Sequence, residues 1–416
     1  MRRVLIILAI LIVLGGLGAA AYFFIFAGTP TLVVDTGTNP FGNPAGDAAG
    51  GESDTVDPDT GGAAAGTVVT QRLIEITKGP VVPGAVAFIS SSTAPLPAGE
   101  ASGTSTVSLP VPDTEVRYAL RESGNLFSYL FHARAAKRLV NKTIPGTQEA
   151  TWLPDGSLAY LRYAGGTAEN PEIDTYALPA DGTEGFFLPV NIAGIATVGS
   201  SSVFSLSSGG NGSIGTVSKA DGSASRTAFS SPLGSLSARP AGSGQFVAYT
   251  KATGLSGGYA FLIDTAGAMN RLFGPVPGLV ALPSPLGTWA LLSYTEQGNL
   301  KTSLLNIRTR ELIALPVATI ADKCAWTSDE SAVYCGVPVP GSLATATYPD
   351  DWYQGAVSFT DRIWKIDVGG RFAELALDFS GATDGPLDAT ALTVDPRKDV
   401  LVFLNKRDGS LWAYDL

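Results

Sequence analysis

The chain has 416 residues, of which 45% are apolar and only 15% charged, with 49 glycines and 27 prolines. That apolar content suffices for one large or two medium domains, and few charges with abundant Gly and Pro suit short strands and tight turns, so an all-β fold is expected. The net charge of −10 and the lack of any Lys/Arg cluster exclude nucleic acid as an expected partner.

Residues 1 to 3 are Met-Arg-Arg, and positions 4 to 27, VLIILAILIVLGGLGAAAYFFIFA, carry no charge. As a helix this run rises about 36 Å, enough to cross a hydrocarbon core of roughly 30 Å. Residues 1–27 therefore read as a cytoplasmic tip and a transmembrane anchor. A cleaved signal is the alternative, with Gly18-Ala19-Ala20-Ala21 as its processing site, but Tyr22-Phe23-Phe24-Ile25-Phe26 continues the apolar run past it. Arg2 and Arg3 place the N-terminus in the cytoplasm and the rest of the chain outside it, in the periplasm or at the cell surface. No Cys lies near the segment, which excludes a thioether-linked lipid anchor.

Residues 28–66 hold six acidic residues and no Lys or Arg, in a Gly/Pro/Ala-rich stretch that cannot bury enough surface to offset its ordering entropy. This reads as an acidic disordered linker with a root-mean-square reach of about 35 Å. Asp54, Asp57 and Asp59 lack the ligand order and terminal Glu of a calcium loop.

From residue 67 onward the chain repeats. An apolar strand, a turn and a second strand recur at 150–161, 238–249, 281–294, 324–335 and 392–404; WLPDGSLAY (152–160) matches WTSDESAVY (326–334) nearly position for position. A second phrase recurs at 176–188, 216–229, 261–273, 304–315 and 364–377. Pro154 to Pro240 is 86 residues, twice 43; Pro240 to Pro285 is 45 and Pro285 to Ser328 is 43. A period of about 40–45 residues with four short strands per unit is that of propeller blades. Continuously apolar strands such as WALLSY and VLVFL fit sheets covered on both faces by neighbouring blades. Seven units follow: 85–143, 150–192, 196–230, 236–274, 279–318, 322–380 and 389–416. The Ser/Gly-rich third unit matches weakly, so six or eight blades stay open. Naming strands a to d from the axis outward, the last unit lacks strand d, and RLIEI at 72–76 parallels ELIAL at 311–315. The expectation for 67–416 is a seven-bladed β-propeller closed by pairing of its N-terminal strand with its C-terminal blade.

The W-x-P-D-G-S-x-A-Y and D-x-x-G turns resemble those of TolB-type propellers, related to the tryptophan-aspartate repeat proteins and to the propellers of dipeptidyl peptidases. The resemblance implies a fold and a binding or scaffolding role, and supplies no catalytic residue.

Cys324 and Cys335 fall directly opposite each other if Asp329-Glu330 forms a two-residue hairpin loop, and outside the cytoplasm a disulfide is expected, with two buried free thiols as the alternative. Two Cys and one distant His cannot complete a tetrahedral site, so no metal or other cofactor is expected. That single histidine, His132, has no G-x-S-x-G partner and reads as a rim residue. Asn141-Lys-Thr and Asn211-Gly-Ser match the glycosylation pattern, which matters only in a secretory host.

The insertion at 336–361 joins strands b and c of the sixth unit and carries Tyr348, Asp350, Asp351, Trp352, Tyr353 and Gln354; the equivalent loop of the second unit, 163–174, carries Glu169 and Asn170. Equivalent loops emerge on one face, which is the candidate binding site, and self-packing of the aromatics on the propeller is the competing reading. The insertion at 90–115 joins a to b and should project from the opposite face.

The functional expectation is a membrane-anchored extracytoplasmic propeller acting as a protein-binding or scaffold module in a cell-envelope assembly. A glycosidase-like hydrolase using a carboxylate pair in the channel is the alternative. The first predicts an aromatic, polar patch on the Trp352 face, and the second two facing channel carboxylates, at least one with a raised pKa.

Overall fold

In a computed structural model the structure describes residues 72–93, 112–341, 343 and 346–416. The anchor expected at 1–27, the linker at 28–66 and the centre of the 90–115 insertion lie outside the described residues. Among those described, no helix is long and apolar enough to cross a membrane.

Among the described residues twenty-eight strands form seven separate four-stranded antiparallel sheets. Six are consecutive in sequence, running from Val86–Thr93 to Ala135–Arg138, Thr147–Trp152 to Phe186–Phe187, Ile192–Val198 to Arg226–Ser231, Leu236–Pro240 to Met269–Pro277, Val280–Pro283 to Leu312–Ala314, and Cys324–Trp326 to Phe372–Asp378. The seventh combines Ala389–Val394, Val400–Asn405 and Leu411–Asp415 with Leu73–Thr77 as its outermost strand. Leu73 pairs with Tyr414, Ile74 with Ala413 and Glu75 with Trp412. The Arg72 guanidinium adds hydrogen bonds to the Asp415 carbonyl at 2.7 and 3.0 Å.

Each sheet has two apolar faces because each is sandwiched. Ala332–Pro338 and Val400–Asn405, second strands of blades six and seven, are buried at every position, as continuous apolar runs demand. Adjacent blades share apolar clusters: Leu161 of blade two packs with Leu126 of blade one, Phe204 with Phe246, Tyr334 with Phe403, and Val402 of blade seven falls in one cluster with Tyr118 of blade one.

Turns explain the repeated Asp. Asp155 Oδ1 accepts hydrogen bonds from the Ser157 N–H and hydroxyl, and Asp181, Asp221 and Asp329 do the same for Thr183, Ser223 and Ser331 in whole or part. Each short side chain mimics a backbone turn two residues on, which fixes the hairpin locally.

Cys324 and Cys335 are cross-strand partners joined by a disulfide, with Cα atoms 4.1 Å apart. Converting both to Ser is expected to destabilise blade six by at most about 3 kcal/mol, since the bond closes a short loop. Equilibrium denaturation with and without reductant measures this; a midpoint unchanged by reduction would show that the bond contributes nothing.

Candidate functional site

In an a-to-d antiparallel sheet, b–c and d–a connections share one end, and a–b and c–d turns the other. Residues 346–360, between strands b (Ala332–Pro338) and c (Asp361–Asp367) of blade six, lie at the first end and form a cap containing one helical turn, Asp350–Tyr353.

The cap is bound by its own acidic residues. Asp351 Oδ2 accepts a hydrogen bond from Thr347 N–H at 2.7 Å, holding the turn, and Asp350 Oδ2 accepts one from Gly254 N–H of blade four at 2.7 Å. Gly254 and Gly278 pass so close to the Tyr348 carbonyl that a Cβ atom on either would stand 2.7 or 2.6 Å from it, so the cap needs glycine at both positions.

Two of the aromatics face inward. Tyr348 and Trp352 are 4% and 3% exposed, and Phe359 is fully buried, its ring stacked on that of Trp352 at 6.3 Å. The self-packing alternative describes these side chains. Lys323, itself fully buried, places its ammonium 5.0 Å from both ring centroids. Its Nζ donates to Asp361 Oδ2 at 2.7 Å and to Asp388 Oδ1. Asp388 Oδ2 also accepts from Trp352 Nε1 and Phe359 N–H, each at 3.0 Å. Lys406 of blade seven donates to the Trp352 carbonyl at 2.7 Å. The cap is thus tied to blades four, six and seven by ions and rings.

Tyr353 and Gln354 remain exposed. The Tyr353 hydroxyl donates to Asp322 Oδ2 at 2.6 Å, and Asp322 Oδ1 accepts from Arg239 Nη2 at 2.8 Å. Burial of the hydroxyl, and next the Asp322 charge, push Tyr353 above its ordinary range. Asp322 and Arg239 line a central cavity of about 1360 Å³, walled by inner-strand residues such as Thr151, Ala196, Ala238 and Thr393. Glu149 also lines it, paired to Arg162 at 2.5 Å.

Glu169 and Asn170 are exposed at the tip of the blade-two hairpin between Leu158–Gly166 and Pro171–Pro179, where Asn170 Nδ2 donates to Glu172 Oε1 at 3.2 Å. No contact among the described residues joins them to the cap. His132 is half-exposed, its Nδ1 2.7 Å from the buried Asp113 carboxylate.

Lys323, Asp361, Asp388, Asp322 and Arg239 were not singled out in the sequence. A signal existed for three: Lys323 immediately precedes the strand containing Cys324, Asp361 ends the insertion and Asp388 precedes the last unit, so each is a charge at the start of an apolar strand.

The raised carboxyl expected of an enzyme is present but sealed. Burial, reinforced by the Asp388 charge and opposed by Lys323, pushes Asp361 up to about 6, yet its side chain and that of Asp388 have no exposed surface. The channel carboxylates, Glu149 and Asp322, are each occupied by an arginine.

No family model and no curated protein matches the chain. Similar solved structures include the β-propeller domain of the trilobed protease from Pyrococcus furiosus, described as having an open velcro topology, at 11% identity and a TM-score of 0.49 over 73% of this chain and 89% of that one. Kuenenia stuttgartiensis hydrazine synthase matches at 10% identity and a TM-score of 0.49 over 73% and 92% of the respective chains. TolB from Acinetobacter baumannii matches at 14% identity and a TM-score of 0.42 over 62% of each. By its own strand order the chain is a seven-bladed β-propeller, and what it shares with TolB and the protease propeller domain is fold alone.

Proposed function

We propose that this chain is a membrane-anchored, extracytoplasmic propeller that binds a protein partner, as a scaffold module of a cell-envelope assembly, through the face bearing the b–c and d–a connections. One observation carries the reading. Of twelve exposed large apolar residues among those described, seven lie at that end of the sheets: Ile173, Val190, Ile214, Leu233, Leu255, Leu343 and Tyr353. Leu255 is 83% exposed, beside the Gly254 that anchors the cap. Apolar side chains gathered on one face of a soluble domain mark an interaction surface.

The uncharged run at 4–27 supports an anchor, and strand direction supports a presentation. Leu73 starts its strand at the end opposite this face, because Leu73 pairs with Tyr414 near the far end of strand c. The pairing of Leu73–Thr77 with Leu411–Asp415 is, in this reading, what closes the ring. The hydrolase alternative requires two accessible carboxylates, and the arginine pairing of Glu149 and Asp322 weighs against it.

Crosslinking and recovery of partners from envelope extracts should separate Leu255→Ser and Tyr353→Ala from wild type, each expected to reduce recovery at least about tenfold if it is an interface anchor. Leu286→Ser, on the opposite face, serves as the control. Equal recovery from all four proteins would remove this face as the binding surface while leaving the fold untouched.

A further inference from the structure

Lys323, Asp361 and Asp388 bring one positive and two negative groups into a volume with no exposed side-chain surface. Fully ionised, the trio carries a net charge of −1 away from water, which a low-dielectric interior penalises heavily. The two carboxylates are unequally supported. Asp388 accepts from Lys323, from the Trp352 indole and from the Phe359 backbone, and the Lys406 ammonium stands near it. Asp361 accepts from Lys323 and from Ala389 N–H at 2.7 Å through Oδ2 alone, while its Oδ1 is buried without a hydrogen-bond partner among the described residues.

A proton entering this cluster therefore goes to Asp361. Both oxygens of Asp388 already accept hydrogen bonds, whereas Asp361 has one oxygen that nothing among the described residues satisfies. With Asp361 neutral the trio is balanced, Lys323 against Asp388. The charged groups facing the cluster from neighbouring elements are Lys406 and Arg407 of blade seven, which donate to the carbonyls of Trp352 and Phe359 respectively.

We propose that Lys323, Asp361 and Asp388 form a proton-responsive clasp that holds the 346–360 cap at one mouth of the channel, Asp361 being the member that gains and loses the proton. The direction follows from the two states. Closed, Asp361 keeps its proton up to about pH 6; once the cap opens and water enters, it keeps it only to the ordinary carboxyl value of 3.8. The closed state binds the proton more tightly, so closure is strongest below the open-state value, weakens as pH rises between the two, and changes no further above about 6. The clasp holds whether or not the apolar face binds a protein.

Hydrogen exchange of the 346–360 backbone amides in the full-length protein, corrected for the intrinsic pH dependence of exchange, reads the opening equilibrium. Between pH 5 and pH 7.5 the opening constant is expected to rise about tenfold in wild type and to stay flat in Asp361→Asn. A flat wild-type profile, or an equal rise in Asp361→Asn, would overturn the clasp. If the variant does not fold, the carboxyl carbon of Asp361 in selectively labelled wild type decides: a chemical-shift midpoint near pH 6 supports the proposal, and one at or below 4 refutes it.

Discussion

Replacing Lys323 by methionine lowers the stability of the propeller by about 3–5 kcal/mol, the range found when one partner of a buried ion pair is removed. The side chain is fully buried, and its ammonium is the cation donating to both Asp361 and Asp388. Without it two carboxyl groups face each other beside the rings of Trp352 and Phe359, and one or both must take up a proton or drag water inward. Such a loss is a large share of the roughly 5–15 kcal/mol that holds a typical domain together. Neutralising all three positions, as Lys323→Met with Asp361→Asn and Asp388→Asn, is expected to recover most of that loss, because the desolvation cost disappears with the charges. Chemical denaturation of the single and triple variants tests the pair of statements. A triple variant less stable than Lys323→Met would mean that the carboxylates stabilise blade six through their backbone hydrogen bonds more than their charge costs.

The parts of the fold legible in the sequence are those governed by local repetition. Blade spacing could be read because short hairpins recur along the chain, and where an Asp makes the turn it does so through a two-residue interaction, as at Asp155 with Ser157. The Cys324–Cys335 register followed from one hairpin for the same reason. Boundaries were harder where the backbone departs from regular pairing. Strand a of blade three begins at Ile192, four residues before the expected start, and its register shifts between Ile192 and Gly194. Strand a of blade two likewise begins at Thr147, with a shift between Thr147 and Glu149. The cap lay beyond local reading. A tryptophan on a loop can project or bury, and what draws Trp352 inward is Asp388, 36 residues on and in another blade. Nothing within 336–361 reveals that partner. Tyr353, its neighbour, points to Asp322 at the channel wall instead, so adjacent aromatics on one turn serve different roles.

Removing residues 1–77 should unfold the propeller or drop its melting temperature steeply, whereas removing residues 1–71 should leave it folded. The two chains differ by Arg72 and the strand Leu73–Thr77. Leu73 is 4% exposed in the cluster with Leu401 and Phe403, and Ile74 and Ile76 pack against the cluster that joins blades seven and one. Fully burying one such side chain contributes about 1.5–3 kcal/mol; Leu73 is buried and Ile74 and Ile76 partly so, and together they reach a sizeable share of the roughly 5–15 kcal/mol that holds an ordinary domain together. The strand also supplies backbone partners for Leu411–Asp415, which without it becomes an open edge at the C-terminal end of the chain. Because blade seven packs on blade one through Val402, Ala413 and Tyr118, loosening that edge also weakens the joint between first and last blades. Leu73→Asp in the full-length chain makes the same test without truncation, placing a charge in the blade-seven core. Thermal melts and limited proteolysis from the C-terminus decide the matter: chains beginning at 72 and 78 that melt together and resist protease equally would mean that the ring holds through its seven inter-blade faces and that the N-terminal strand closes nothing.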